Sequence, residues 1–195
     1  MVGESVRYLD NPLETSTMPS LRSWLWILIP ALVLGACTGV PKGVTPVTGF
    51  DGDRYLGKWY EIARLDQRFE RDLDNVTATY SKRADGTIKV VNRGWNAKKG
   101  EWKDITGRAQ FLGDQTVGSL KVSFFWPIWA GYHVIALDPG YRFAMVSGPN
   151  KEYLWILSRE KTLPNQDLYP LIDKARALGF DVNALTFVTQ NRPDA

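Results

Sequence analysis

The chain has little of the chemistry that enzymes use. Among 195 residues there is one histidine, His133, and one cysteine, Cys37. No cluster of histidines and cysteines is available for zinc, no G-x-S-x-G elbow presents a serine nucleophile, and no glycine-rich loop is placed to hold a phosphate. We therefore expect no metal, no cofactor and no catalytic residue. His133 alternates with its neighbours on a predicted strand and is interpreted as a surface or hydrogen-bonded histidine.

An excess of one charge is also missing. The net charge is +3 at pH 7, and the lysines and arginines are scattered along the chain. This excludes a strongly basic surface of the kind that binds nucleic acid. The acidic run "FERDLD" has Glu70, Asp72 and Asp74 interleaved with Arg68 and Arg71. It is predicted to be a solvated charge cluster rather than a carboxylate site.

The longest hydrophobic run stands near the N-terminus. After Met18 and one arginine, residues 24–34 are apolar and small residues follow. This run is shorter than the roughly 20 residues that a membrane-spanning helix needs, and the pattern is typical of a signal peptide. Residues 1–36 are predicted to be that peptide, with Met18 as the better start. A buried core helix is the alternative, which Pro30 disfavours.

The sequence Leu34-Gly35-Ala36-Cys37 at the end of this run resembles the lipobox of bacterial lipoproteins. The resemblance implies that Cys37 is lipidated and becomes the mature N-terminus, which explains a lone cysteine in an exported chain. Thr38 follows instead of aspartate, which favours the outer membrane. We expect a lipid anchor there, on the periplasmic side, and a tether over residues 37–50, which are rich in glycine, proline, threonine and valine.

Residues 51–195 are predicted to be an all-β domain. Short alternating runs are separated by turn sequences such as "ADG", "NAKKG" and "DPG". Eight strands in simple order predict a closed antiparallel up-and-down β-barrel, a size that can hold one small ligand. The predicted strands are 57–66, 75–83, 87–95, 102–112, 117–125, 131–138, 141–148 and 152–159.

One helix and a ninth strand are predicted after the barrel. Apolar residues recur at helical spacing from Leu168 to Leu178, and Gly179 provides a C-terminal stop. Because proline lacks a backbone N–H, we expect Pro170 to lie in the first turn of this helix. The sequence "LTFVTQ", residues 185–190, predicts the short ninth strand.

Three stretches occur in order at barrel spacing: "YLGKWYEIARLD", "ALDPGYRFAMV" and "YLWILSRE". Together they resemble the lipocalins, and most closely the bacterial lipocalins related to apolipoprotein D. The first carries Gly57-x-Trp59, the third carries Arg159, and Asp138 matches the second motif more loosely. In a barrel an indole can close one end and a guanidinium can lie across it. Gly57, Trp59, Asp138 and Arg159 are thus predicted to close the base.

Comparison with lipocalin strands sets which side chains face the barrel interior. Small residues there leave room, and aromatic residues supply contact area, so we expect a pocket for a hydrophobic ligand. A barrel filled by the same side chains is the alternative. Glu61 shares the parity of Trp59 and is a candidate cavity carboxylate. The predicted ligand-binding residues are Val76, Ala78, Tyr80, Ile105, Ala109, Leu120, Val122, Phe124, Tyr132, Val134, Tyr153 and Trp155.

The resemblance implies a lipid-binding protein that stores or transports fatty acids or lysophospholipids in the cell envelope. Tyr80, Tyr132 and Tyr153 are candidates to hold a polar head group. Two alternatives stay open, a lipocalin-type enzyme of the isomerase or de-epoxidase class and a structural lipoprotein without ligand. Some bacterial lipocalins dimerise, so a homodimer is left open as well.

The stretch "FFWPIWAGYH", residues 124–133, is unusually apolar for a link interrupted by proline. In an up-and-down barrel whose first strand leaves the closed base, this link falls at the open mouth. Exposed apolar side chains there indicate an interaction surface. Phe69, Trp126 and Trp129 are predicted to form the mouth and to contact the cargo, the membrane surface or a second subunit.

Overall fold

A computed structural model describes residues 38–193, and nine antiparallel strands dominate it. The predicted signal peptide and Cys37 lie outside the described residues. The order β2-β3-β4-β5-β6-β7-β8-β1-β9, with β1 also paired to β2, closes eight strands into a barrel. The predicted fold class is therefore confirmed. The strands are β1 (Gly57–Leu65), β2 (Leu73–Lys82), β3 (Ile88–Asn96), β4 (Glu101–Phe111), β5 (Ser119–Phe125), β6 (Ile128–Leu137), β7 (Phe143–Ser147), β8 (Leu154–Ser158) and β9 (Leu185–Phe187).

The two ends of the barrel differ. A short helix, α1 (Gly52–Tyr55), precedes β1 at the base, and the pairing of Trp59 with Ala78 closes the barrel there. The links after β1, β3, β5 and β7 meet at the opposite end, the mouth. The link after β5 is shorter than expected, because Phe125 pairs with Ile128 and β6 begins at Ile128 rather than at residue 131.

A helix, α2 (Asn165–Ala177), packs on the outside of the barrel through Leu168, Leu171 and Ala175. The expectation that Pro170 lies in its first turn is wrong, because the helix begins at Asn165 and places Pro170 in the second turn. The missing N–H costs one helical hydrogen bond. Burial of the apolar face against the barrel offsets that loss. A 3₁₀ turn at Val182–Ala184 then leads into β9.

Residues 38–50 lie against the barrel, and we call them the N-terminal strap. Val44 and Phe50 are buried, Val47 N donates to Val134 O at 2.8 Å, and Thr48 forms a bridge with Val117. The prediction of a tether for these residues is wrong. A segment without periodicity is still ordered when its backbone bonds to the barrel and its few apolar side chains are buried.

Within residues 38–193 no helix is long and apolar enough to cross a membrane.

Candidate ligand-binding site

An indole and a guanidinium meet at the base of the barrel. Trp59 is fully buried, and its Nε1 donates to the backbone oxygen of Tyr55 at 2.9 Å. The Cζ of Arg159 lies 3.9 Å from the centroid of the Trp59 ring, within cation–π distance. Gly57 has a φ of +94°, and a Cβ there would lie 3.3 Å from Arg159 Nη1, so conformation and space both favour glycine. The structure thus brings three of the four predicted closing residues together.

Asp138 holds the turn between β6 and β7, and this turn contacts the closure through the backbone oxygen of Tyr141, which accepts from Nε of Arg159 at 3.3 Å. Its Oδ2 accepts from the backbone N of Gly140 at 3.0 Å, and its Oδ1 accepts from Nη2 of Arg142 at 2.8 Å. The hydrogen bonds from Arg142 hold the pKa of this carboxyl below its usual range. The turn carries Tyr141, whose hydroxyl accepts from the backbone N of Asp51 at 2.8 Å.

Three tyrosines form the floor of the space above Trp59. The hydroxyl of Tyr132 shares hydrogen bonds with the hydroxyls of Tyr55, at 2.7 Å, and Tyr80, at 2.8 Å. Burial raises the pKa of all three phenols, so they stay protonated at physiological pH. Three O–H groups share two hydrogen bonds, which leaves one O–H donor for a molecule above the floor.

Above this floor the barrel encloses a cavity of about 430 Å³ that continues to the mouth. Its volume lies in the usual range of small-molecule sites, about 300–1,000 Å³. It is lined mainly by aliphatic and aromatic side chains, so the barrel is not filled by its own core. Of the predicted ligand-binding residues, those that line it are Val76, Ala78, Tyr80, Ile105, Ala109, Leu120, Val122, Phe124, Tyr132, Tyr153 and Trp155.

Val134 is the exception among the predicted ligand-binding residues. It shares the inward parity of Tyr132, but it is fully buried below the cavity. Its Cβ would lie 3.0 Å from a Cβ placed at Gly118, and Phe50 packs on the same spot. Val134 therefore belongs to the packed base, because the strap fills the space beneath the floor.

Several lining residues were missed from the sequence. On β3, Ile88, Val90 and Asn92 alternate in the usual way, and this period-two signal was available. Phe50 and Glu70 also line the cavity, although neither lies on a strand. The alternation of side chains along strands cannot predict lining residues that lie outside the strands.

The mouth is surrounded by apolar side chains, which we call the apolar rim: Phe69, Phe125, Trp126 and Ile128, which are exposed, and Trp129, which is half-buried. Trp126, at the tip of the β5–β6 hairpin, is 83% exposed, and it does not line the cavity. Phe69 and Trp129 do line it, and Lys121 Nζ lies 4.7 Å from the centroid of the Trp129 ring. All three predicted mouth residues thus lie at the open end.

A buried ionic cluster forms one side of the cavity wall. Glu61 and Glu70 are only 4% and 6% exposed, and both line the cavity. Arg64 Nη1 donates to Glu61 Oε1 at 2.9 Å, and Trp155 Nε1 donates to Glu70 Oε2 at 3.0 Å. Burial, together with the nearby charge of Glu70, raises the pKa of Glu61 to about 8. The sequence indicated Glu61 by parity. The prediction that Glu70 belongs to a solvated charge cluster is wrong, because its carboxyl group is buried and accepts from Trp155, while its backbone oxygen accepts from Arg64.

His133 does not face the cavity. Its Nε2 donates to the carbonyl oxygen of Gly39 in the strap at 3.0 Å, so its Nδ1 accepts from Ser119 Oγ at 2.9 Å. Burial lowers its pKa and keeps the imidazole neutral. It is a hydrogen-bonded structural histidine, one of the two roles expected from the sequence. Within residues 38–193, no group of three or more histidines or acidic residues is placed to hold a metal ion.

The barrel and its closed base define a class of protein, and comparison with known sequences identifies the same class. Residues 50–190 match the model of a lipocalin-like domain, and the chain belongs to the lipocalin family. Outer membrane lipoprotein Blc of Citrobacter freundii is 52% identical over 162 residues, 82% of this chain and 92% of the relative. Outer membrane lipoprotein Blc of Escherichia coli K12 is 50% identical, with the same coverage of both chains.

More distant relatives share the fold. Apolipoprotein D of Macaca fascicularis is 33% identical over 164 residues, 80% of this chain and 84% of the relative. Among solved structures, insecticyanin from the tobacco hornworm Manduca sexta superposes with a TM-score of 0.61 at 22% identity, covering 77% of this chain and 86% of that one. The resemblance to bacterial lipocalins related to apolipoprotein D is confirmed.

Proposed function

We propose that this lipocalin is a carrier whose cavity holds the hydrocarbon chain of a lipid. The observation that carries the proposal is the 430 Å³ cavity between the tyrosine floor and the open mouth. Its wall is largely apolar, and burial of each methylene contributes about 0.8 kcal/mol before entropy losses. A long-chain fatty acid or a lysophospholipid has one such chain. The proposed role is storage or transport of these lipids in the cell envelope.

Several tyrosine hydroxyls that line the cavity could form hydrogen bonds with the head group of the cargo. Tyr80 and Tyr132 belong to the floor network, where one O–H remains free to donate. Tyr153 lines the cavity close to the mouth, just before β8 begins. Either end of the cavity therefore provides a phenol to a polar group.

A lipocalin-type enzyme is the second candidate function, and one observation favours it. Such an enzyme needs a reactive thiol or a pair of acids, and Glu61 and Glu70 form a pair of acids on the wall. Their hydrogen-bond partners are Arg64 and Trp155, which fix the carboxyl groups in place. Cargo that leaves the protein chemically unchanged supports the carrier, and a converted product supports the enzyme.

The membrane anchor is the second part of the proposal. We propose that Cys37 is lipidated and holds the protein at the outer membrane, on its periplasmic side. The lipobox-like sequence and the names of the two lipoprotein relatives support this. Cys37→Ser should move the protein from the membrane pellet to the soluble fraction. An unchanged distribution would contradict the anchor.

The strap would lead this anchor toward the mouth. From the base it runs outside the barrel along β6 until Thr38, whose carbonyl oxygen would lie 3.2 Å from a Cβ at Gly131. Gly131 is three residues from Ile128 at the mouth, about 10 Å along the strand. Cys37 is joined directly to Thr38, so the lipid would leave the upper half of the barrel. The apolar rim would then face the same membrane surface.

Two measurements on the purified protein test the carrier function. Mass spectrometry of its organic extract should find a retained lipid. Titration with a fatty acid or a lysophospholipid should quench tryptophan fluorescence saturably, because Trp155 and Trp129 line the cavity. No retained lipid and no saturable quenching would support a structural lipoprotein without ligand.

A further inference from the structure

The charged groups that face the cavity all have one sign. Within residues 38–193, no lysine, arginine or histidine lines it, whereas Glu61 and Glu70 both do. An ionised carboxylate entering the cavity would meet no cation on the wall. The presence of a cationic group therefore distinguishes between the two kinds of cargo proposed above. A fatty acid has only an anionic head, whereas many lysophospholipids carry an ammonium group beside an anionic phosphate.

Near Glu61 and Glu70, the cavity wall has more hydrogen-bond acceptors than donors. Arg64 and Trp155 each donate to one oxygen of Glu61 and Glu70, and no donor among the described residues reaches Glu61 Oε2 or Glu70 Oε1. On β3, Asn92 lines the cavity, and its Oδ1 is buried without a hydrogen-bond partner. Buried acceptors without donors are unfavourable, and a ligand that donates hydrogen bonds relieves them.

The balance of buried charge points the same way. Arg64 is buried behind the wall, donates to Glu61, and also donates to the backbone oxygen of Glu70 at 2.9 Å. Its Nε lies 3.3 Å from Asp66 Oδ1, so this one guanidinium is shared by several acids. With both glutamates ionised, the wall would hold an excess negative charge in a medium of low dielectric constant. Either a proton or a bound cation removes that excess.

We propose that Glu61 and Glu70 form a head-group site that selects lipids bearing an ammonium group over lipids bearing an ionised carboxylate. This inference rests on the proposed carrier function and narrows its cargo. A primary ammonium group donates up to three hydrogen bonds, and once the glutamates are ionised their two free oxygens are acceptors that also attract its charge. An ionised carboxylate can donate none and is repelled by the pair.

The preference for an ammonium group over a carboxylate should increase as pH rises, because the site then becomes more negative. The ionisable groups around Glu61 are Arg64, Asp66, Glu70 and, on the neighbouring strand β2, Tyr80. Since the pKa of Glu61 is about 8, the wall gains a negative charge as pH rises through that value. Binding of an alkylammonium should then tighten, with release of a proton, and binding of an alkanoate should weaken. A neutral amphiphile should show no trend.

Three amphiphiles with one chain length test the proposal: dodecylamine, dodecanoate and dodecanol. Calorimetry on the purified protein at about pH 9, where the amine is still protonated, should give a dissociation constant about tenfold lower for the ammonium than for the carboxylate. Glu61→Gln with Glu70→Gln should remove most of this difference. Glu101→Gln, an exposed change at the mouth end of β4, is the matched control and should preserve it.

Dodecanol separates the possible failures. If dodecanol and both charged amphiphiles fail to bind, the carrier function itself is refuted. If dodecanol binds while dodecanoate binds as tightly as dodecylamine at about pH 9, only the head-group site is refuted. Should the double variant fold poorly, Glu61→Gln alone still tests the proposal, because it should abolish the opposite pH trends of the two charged probes.

Discussion

Replacement of Arg159 by methionine should destabilise the barrel without unfolding it. Methionine keeps an apolar stem over Trp59 but removes the cation. Nη1 donates to Lys58 O at 2.8 Å, Nη2 donates to Arg54 O at 2.9 Å, and the guanidinium covers the indole. Hydrogen bonds from a charged group contribute about 1.5–3 kcal/mol each, and a partly exposed cation–π contact about 1 kcal/mol. Because the two bonds are partly open to water, we expect a total loss of about 3 kcal/mol.

Urea denaturation followed by tryptophan fluorescence measures this loss. Arg68→Met is the matched control, since Arg68 is exposed in the mouth link, and it should change the unfolding free energy by less than about 0.5 kcal/mol. Trp59→Ala removes the other half of the closure and should cost about 3–5 kcal/mol. If Arg159→Met and Trp59→Ala both match the wild type, these residues do not close the base.

Three further predictions concern the cavity, the apolar rim and the ionic cluster. Ala109→Trp fills the cavity, so lipid-dependent quenching should weaken at least about tenfold, and wild-type affinity would contradict the assigned wall. The double variant Trp126→Ser, Trp129→Ser should exchange lipid with vesicles more slowly, while its melting temperature stays unchanged. An unchanged exchange rate would show that the apolar rim takes no part in lipid transfer or membrane contact. A change in self-association instead would identify the rim as a subunit contact. Between about pH 4.5 and pH 8, Glu61 holds a proton in the folded protein that the unfolded chain has released. The free energy of unfolding should therefore fall as pH rises through this range. If this pH dependence is the same in Glu61→Gln, the assignment is contradicted.

The barrel could be predicted because each strand repeats a simple physical rule. Alternating side chains with turn residues between them define eight strands, and all of them are present with shifted ends. The closing residues Gly57, Trp59 and Arg159 could be predicted because the family resemblance combines with the large area that an indole buries. Alternation along the strands also predicted the cavity wall, and of the residues predicted to line it all but Val134 do so. Where it failed, at Val134, the reason was depth along the barrel, which parity does not encode.

Features that depend on tertiary contacts could not be predicted. The strap has no periodicity, and its order comes from hydrogen bonds to β6 and from the burial of Val44. Glu70 reaches the cavity from the link after β1 because Arg64 holds its backbone. Pro170 lies within α2 because the packed face of the helix outweighs one missing hydrogen bond. In each case a contact between residues far apart in the sequence outweighs the conformation that the local sequence favours.

The most direct test of the central claim is a structure of this protein crystallised with a lysophospholipid. One acyl chain should lie inside the barrel, above the hydroxyl of Tyr132 and against Trp155. A lipid ordered only on the outer surface, with the cavity unoccupied by any chain, would contradict it.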